Sequence, residues 1–183
     1  MDQVSMPQQF RQAYASYRER MREISRWQHI AACLQWDMEV SLPSGAFQGR
    51  AEQIASVHNL LHRLIVSPDL FALLEELEAL PESNERANVV MSLRDIRRKQ
   101  KYSAELVERI SMKSSLCLDA WNRARRDGDT LPYLTELEGL VSLKREEVDC
   151  LGYAEHPYDA LMEEFEPGMT VAAMDRVFAG LIP

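Results

Sequence analysis

Glycine and proline are scarce in this sequence, which has 7 glycines and 8 prolines among its 183 residues. An all-β fold needs many tight turns, and these two residues supply much of the turn chemistry. Long apolar runs are also missing, since none approaches the roughly 18 residues of a membrane-spanning helix. The first ten residues contain neither a basic segment nor an apolar one, so they predict no secretory signal peptide. We therefore expect a cytoplasmic, predominantly helical protein without a membrane anchor.

Positive charge and cysteine are both in short supply. The net charge is −8 and the pI is about 5.1, whereas a nucleic-acid partner calls for a basic face that neutralises phosphates. The three cysteines, Cys33, Cys117 and Cys150, are odd in number and far apart. Disulfide frameworks usually use even numbers of cysteines in oxidising compartments. We therefore expect no nucleic-acid partner, and we expect buried, free thiols in a reducing cytosol.

Apolar residues recur at steps of three and four along most of the chain, which is the pattern of amphipathic helices. The predicted first helix carries one such stripe and ends at the break "SLPSG", residues 41–45. The stripe comprises Phe10, Tyr14, Tyr17, Met21, Ile24, Trp27, Ala31 and Leu34. The following helices are predicted at about 46–66, 68–79, 83–102, 104–127 and 131–150, then from Pro157 and at about 171–181. In the sixth helix we expect Leu134, Leu137, Val141 and Val148 to face inward.

Side chains that favour helix ends stand at several of these boundaries. Ser67, Ser103 and Thr170 are positioned to accept hydrogen bonds from the first free N–H groups of three helices. Gly128 and Gly152 follow the fifth and sixth helices, where a left-handed residue often ends a helix. The last predicted helix stops at Pro183. The sequence predicts an all-α fold of about eight helices, forming a single helical domain over residues 1–183.

His58 and His62, in the stretch "VHNLLH", have the i, i+4 spacing of a zinc-binding helix. Such a pair can supply two ligands, but a catalytic zinc also needs a third ligand and a base. The residue after His58 is Asn59, which cannot accept a proton as the glutamate of H-E-x-x-H does. We therefore predict that both histidines are solvated or hydrogen-bonded side chains on a polar helix face. A metal held by this pair is the alternative.

Clusters of charge elsewhere are typical of solvated helix faces. No phosphate-binding glycine loop, nucleophile elbow, Cys-x-x-Cys or di-iron Glu-x-x-His pattern accompanies them. The basic residues between 94 and 101 are expected to pair with nearby acids. The acidic clusters are Glu146, Glu147 and Asp149, and Glu163, Glu164 and Glu166. From the residues alone we predict no catalytic, cofactor-binding or metal-binding side chain.

Two longer stretches, in the same order along the chain, resemble the N-terminal region of the Taq-type thermostable metallocarboxypeptidases. The first has Trp36-Asp37, a Pro43 to Gly45 break, "RAEQ" at 50–53 and Ser67-Pro68. The second is "LKREEVDCLGYAEHPYDALMEEFEPGMT", residues 143–170.

The resemblance implies a neurolysin-like helical metallopeptidase fold, of which this chain would be the N-terminal, non-catalytic part. Full-length members of such a family are zinc-dependent carboxypeptidases that remove C-terminal residues from peptides, and they are typically dimers. Their H-E-x-x-H and third zinc ligand lie beyond the resembling region, so no catalytic or metal residue is carried onto this chain. We expect no cofactor here and expect homo-oligomers through exposed apolar surface.

Two functions remain open from the sequence. The chain is either the N-terminal segment of a zinc carboxypeptidase, inactive alone, or a stand-alone, non-enzymatic helical binding or assembly protein derived from that family. The codons after Pro183 distinguish them, because an open frame that encodes H-E-x-x-H favours the segment and a stop codon favours the stand-alone protein.

Overall fold

Eight α-helices follow one another along residues 6–181, the part of the chain that the computed structural model describes. A 3₁₀ turn, Ser44–Ala46, separates the first two helices. The helices are α1 (Gln8–Val40), α2 (Phe47–Ile65), α3 (Pro68–Leu77), α4 (Asn84–Lys99), α5 (Ala104–Asp127), α6 (Leu131–Leu151), α7 (Pro157–Met162) and α8 (Val171–Ala179). The prediction of an all-α fold is confirmed. The predictions about the extreme N-terminus and Pro183 lie outside the described residues.

The helix starts are set by the side chains that the sequence indicates. The Leu70 N–H donates to Ser67 Oγ at 3.3 Å, and the Leu106 N–H donates to Ser103 Oγ at 3.1 Å. Thr170 Oγ1 accepts from the backbone at the start of α8 at 3.2 Å. Each bond satisfies one of the donors that a helix leaves free in its first turn. The three capping predictions are confirmed.

The main core forms where α1 lies against α2 and α3, and where α4 packs on α3. The α1 residues that become buried are spaced seven apart, because seven residues bring a helix back to nearly the same face. Those residues are Phe10, Tyr17, Ile24, Ala31 and Met38. The first four of them share one apolar cluster with Leu70, Leu74 and Leu77 of α3 and Val89, Leu93 and Ile96 of α4. The predicted α1 stripe is therefore used inside this chain.

The predicted inward face of α6 is wrong for most of its length. Leu134 and Val141 remain 46% and 41% exposed, and Val148 alone of the four predicted residues is buried. The buried residues of α6 are Leu143, Glu147, Val148 and Leu151. The cause is tertiary, because α6 has extensive contacts only with α5 and α7, so its first half keeps an uncovered apolar side.

The two glycines that end α5 and α6 differ in conformation. Gly128 has φ 77° and ψ 1°, which confirms the left-handed cap. Gly152 has φ 72° and ψ 156°, so the prediction of a left-handed cap is wrong there. The carbonyl of Leu151 accepts a hydrogen bond from Lys101 Nζ at 2.7 Å. The Gly152 N–H still donates to the Val148 carbonyl at 2.9 Å, and the chain then leaves α6 with an extended ψ.

None of the helices within residues 6–181 combines the length and apolar character needed to cross a membrane.

Candidate functional site

His58 and His62 lie one turn apart on α2 and face the start of α5. His58 Nδ1 is 2.8 Å from the hydroxyl of Ser111, a residue of α5. His62 is only 6% exposed, and its ring stacks on Tyr102 with the ring centres 5.5 Å apart. The predicted hydrogen-bonded state holds for His58. The predicted polar surface face is wrong for His62, because Tyr102 and α5 cover it.

Burial keeps both imidazoles in their neutral form. The pKa of His58 is lowered from 6.5 because the ring is desolvated. The pKa of His62 is lowered by desolvation first and then by the positive charge of Lys99. Desolvation disfavours the protonated form of a base. At neutral pH the pair therefore offers uncharged hydrogen-bonding groups and no positive charge.

A groove, which we call the histidine groove, runs between α1, α2 and the start of α5. Its larger part has a volume of about 470 Å³, and its smaller part of about 260 Å³ shares Gln35, His58, Tyr102 and Val107 with it. Burial, followed by repulsion from Glu147, raises the pKa of Tyr102 to about 12. The phenol therefore remains protonated and can donate a hydrogen bond. The sequence did not connect Tyr102 or Glu147 with the histidines, because no local pattern links them to α2.

Asn59, between the two histidines, contacts a different part of α5. Its side-chain amide donates to Glu108 Oε2 at 2.7 Å and is 3.4 Å from the carbonyl of Ala104. Its Oδ1 atom is buried and has no hydrogen-bond partner among the described residues. Asn59 thus ties α2 to the first turn of α5, which is a structural role and not that of a base.

Each of the two histidines has a close partner within the described part of the chain. One nitrogen of His58 is paired with Ser111, and His62 is stacked on Tyr102. Within the described residues no group of three or more His, Cys, Asp or Glu side chains is placed to hold a metal ion. The residues present therefore do not fit a catalytic zinc, and we derive no metal-dependent step from them.

The basic segment 94–101 fixes the ends of other helices. Arg97 pairs with Glu78 at 3.4 Å, as predicted for a solvated face. Arg98, however, donates to the carbonyl of Ala160 in α7 at 2.6 Å. Together with the bond from Lys101 to α6, this contact satisfies carbonyls at or near helix C-termini, where cations are favoured.

The acidic clusters are only partly solvated. Glu146 forms two bonds of 2.9 and 3.0 Å to Arg109, and both side chains are about half exposed. Glu147 is 6% exposed, so the prediction of a solvated face is wrong for it. Its carboxylate is paired with Lys144 at 2.8 Å, which compensates the buried charge.

The cysteines differ from one another in accessibility. Cys117 is buried, and burial is the largest cause of its raised pKa. Cys33 and Cys150 are exposed, so the prediction that all three thiols are buried is wrong for these two. Both lie on the outward faces of α1 and α6, because the core uses other positions of those helices.

The stretch "HPYD…EPGMT" builds the connection between α7 and α8. His156 caps α7, and Asp159 completes a reciprocal capping box. The other carboxylate oxygen of Asp159 accepts from the Val171 N–H at 2.7 Å, which fixes the first residue of α8. Glu163 accepts from the Gly168 N–H at 2.7 Å and pairs with Arg94. These residues shape the backbone, and none of them is placed as a nucleophile or a base.

The first resembling stretch is also joined by a direct contact. Asp37, near the end of α1, forms an ion pair with Arg50 in the first turns of α2. The same guanidinium lies 3.3 Å from the carbonyl of Leu34. The contact joins Asp37 to the first residue of the "RAEQ" segment across the turn between the two helices.

Comparison with known proteins decides the family. The family described as carboxypeptidase Taq (M32) metallopeptidase matches residues 16–182. The chain belongs to this family. It is 28% identical over 180 residues to thermostable carboxypeptidase 1 of Pyrococcus furiosus, and 27% identical over 165 residues to carboxypeptidase 1 of Bacillus subtilis. These alignments cover 97% and 88% of this chain, respectively.

Solved structures of the M32 family have the same arrangement of helices. The BsuCP crystal structure superposes with a TM-score of 0.87 at 25% identity, over 93% of this chain and 35% of that one. The carboxypeptidase structure from Pyrococcus furiosus gives a TM-score of 0.75 at 29% identity, over 98% of this chain and 36% of that one. The helical metallopeptidase fold predicted from the resemblance is confirmed.

The chain spans about a third of the length of the relatives it matches, 35% of the Pyrococcus furiosus protein and 33% of the Bacillus subtilis protein. The remaining two thirds of those proteins have no counterpart in this sequence.

Proposed function

We propose that this chain is the N-terminal helical segment of a zinc-dependent carboxypeptidase, the class of enzyme that removes C-terminal residues from peptides. The observation that carries the proposal is the length of the match. Nearly the whole chain aligns with M32 carboxypeptidases, yet it spans only about a third of them. In this proposal the zinc and the catalytic residues belong to the part of the enzyme beyond this segment, and the enzyme acts in the cytoplasm.

The histidine groove supports a structural or peptide-contacting role within such an enzyme. Its neutral histidines and its protonated phenol offer hydrogen bonds without a metal or a charged base. Such groups suit the orientation of a polar chain better than bond cleavage, which needs an activated nucleophile or water.

The test of inactivity uses residues 1–183 alone. The purified chain is incubated with zinc or cobalt and an N-terminally blocked peptide that has a free C-terminus. We expect no release of the terminal residue and well below one equivalent of bound zinc. Metal-dependent release, or one zinc that is lost in His62→Ala, would contradict the proposal for this chain.

The test of the segment hypothesis reads the genomic frame after the codon for Pro183. An open frame that encodes H-E-x-x-H supports the proposal, and the encoded long protein should then release C-terminal residues in the same assay. A stop codon would instead favour the stand-alone binding or assembly protein.

We also propose that the isolated chain self-associates through its uncovered apolar surface. The α1 stripe is used in the core, so the candidate surface is the first half of α6. Leu131 is 70% exposed there, next to the exposed Leu134 and Val141. Removing apolar area from water contributes about 25 cal/mol per Å², which favours pairing of such faces.

A further inference from the structure

An apolar groove between α7 and α8 is left unfilled by the described residues. This α7–α8 groove has a volume of about 580 Å³. Its apolar members are Tyr158, Leu161, Met162, Phe165, Met174 and Phe178. The aromatic rings are open to solvent, with Phe165 81% exposed, Tyr158 56% and Phe178 54%. Contiguous exposed apolar surface marks a contact with a protein, a membrane or a ligand.

Hydrogen bonds, and not buried apolar contacts, fix the position of α8 relative to α7. Helix α8 buries none of its residues and takes part in none of the extensive helix pairings. Its position is set by two hydrogen bonds of 2.7 Å, which the Val171 N–H donates to Asp159 and the Gly168 N–H donates to Glu163. The groove is therefore formed before anything occupies it, which lowers the ordering cost of docking.

We propose that the α7–α8 groove is the docking surface for the carboxypeptidase polypeptide that lies beyond this segment. The inference rests on the proposed function. Two thirds of each relative has no counterpart here, and that polypeptide must pack against the matched third of the enzyme. The apolar floor of the groove calls for an apolar segment in the occupant.

The charge at the groove argues against a second copy as the occupant. Glu164 and Glu166 line the groove together with the single base Lys144. A two-fold dimer presents the same patch from both copies. It would therefore bring four of these carboxylates close together around two lysines, and like charges across an interface disfavour the pairing.

The experiment compares residues 1–183 with the full-length product of the continued reading frame. Hydroxyl-radical footprinting with mass spectrometry measures the oxidation rate of individual aromatic side chains, and free phenylalanine calibrates the radical dose. We expect Phe165 and Phe178 to be oxidised several-fold more slowly in the long protein than in the isolated chain. Protection that instead rises with the concentration of the isolated chain would identify a second copy as the occupant and overturn the inference.

A pair of variants tests the same contact by stability. Phe165→Ser should lower the melting temperature of the long protein and leave that of the isolated chain unchanged. Met91→Ser, which alters a side chain of α4 that is 67% exposed and lies outside both the groove and the α6 surface, is the matched control and should change neither. An equal effect of Phe165→Ser on both proteins would overturn the docking surface.

The outcomes separate this inference from the proposed function. A long protein that releases C-terminal residues while Phe165 and Phe178 stay fully oxidisable refutes the docking surface alone. A stop codon directly after Pro183, or a long protein without peptidase activity, refutes the proposed function. The stop codon also refutes the docking surface, because no further polypeptide would then exist to fill the groove.

Discussion

Replacement of Gly152 by alanine tests the backbone at the end of α6. Gly152 has φ 72° and ψ 156°, a region that is essentially restricted to glycine. A Cβ placed at this position meets no atom within 4 Å, so the cost is conformational and not steric. Such a backbone strains an L-residue by about 1–3 kcal/mol. Alanine also restricts the unfolded chain, which offsets about 0.4–1 kcal/mol.

We therefore expect Gly152→Ala to lower the free energy of unfolding by about 1–2 kcal/mol. For a chain of this size that loss corresponds to a melting temperature lower by roughly 2–8 °C. Urea unfolding followed by circular dichroism measures the loss as a shift of the midpoint at constant slope.

Two other glycines provide matched controls. Gly49 lies within α2 and also has open space where the Cβ of an alanine would lie, so Gly49→Ala should stabilise the protein by about 0.5–1 kcal/mol. Asparagine tolerates the left-handed region. Gly128→Asn should therefore be nearly neutral, while Gly152→Asn should be as harmful as Gly152→Ala. If Gly152→Asn is tolerated as well as Gly128→Asn, or if Gly152→Ala stabilises the protein, the reasoning is wrong.

Three further predictions concern the core, the histidines and self-association. Leu74 is completely buried, so Leu74→Ala should lower the free energy of unfolding by about 2–5 kcal/mol in urea unfolding, whereas Met91→Ala, at an exposed position of α4, should stay within about 0.5 kcal/mol. The pKa values of His58 and His62 are depressed below 6.5 in the folded state. As the pH falls, the unfolded state therefore takes up protons on these histidines at a higher pH than the folded state does. The contribution of these neutral histidines to stability should thus be fully present above pH 6.5 and decline as the pH falls below it. The decline should be less steep in His62→Phe. A urea midpoint that stays constant between pH 7.5 and 5 would contradict this prediction. Sedimentation equilibrium in reducing buffer should detect dimers or larger assemblies at micromolar concentration, weakened by Leu134→Lys; a persistent monomer would refute self-association.

The positions of the helices were largely determined by local sequence. The predicted third, fifth and sixth helices, at about 68–79, 104–127 and 131–150, are observed as Pro68–Leu77, Ala104–Asp127 and Leu131–Leu151. Local rules suffice for the starts of the third and fifth helices, because a cap such as Ser67 or Ser103 bonds to a backbone N–H three residues away.

The inward faces of α1 and α6 show where local pattern stops being enough. Both helices carry apolar stripes, but only α1 has neighbours that cover its stripe, so Ile24 is buried while Leu134 is exposed. A stripe specifies which side of a helix prefers burial, and the presence of a covering element depends on the rest of the fold.

The environment of the histidines was decided by tertiary structure alone. The i, i+4 spacing put His58 and His62 on one side of α2, as any helix does. Their partners, Ser111 and Tyr102, are 53 and 40 positions away along the chain from His58 and His62, respectively. Contacts of that separation arise from how helices pack, so the sequence by itself determined the helices, their ends and the family. Only the packing of α2 against Tyr102 and α5 decided that these histidines are enclosed and that their pKa values are lowered.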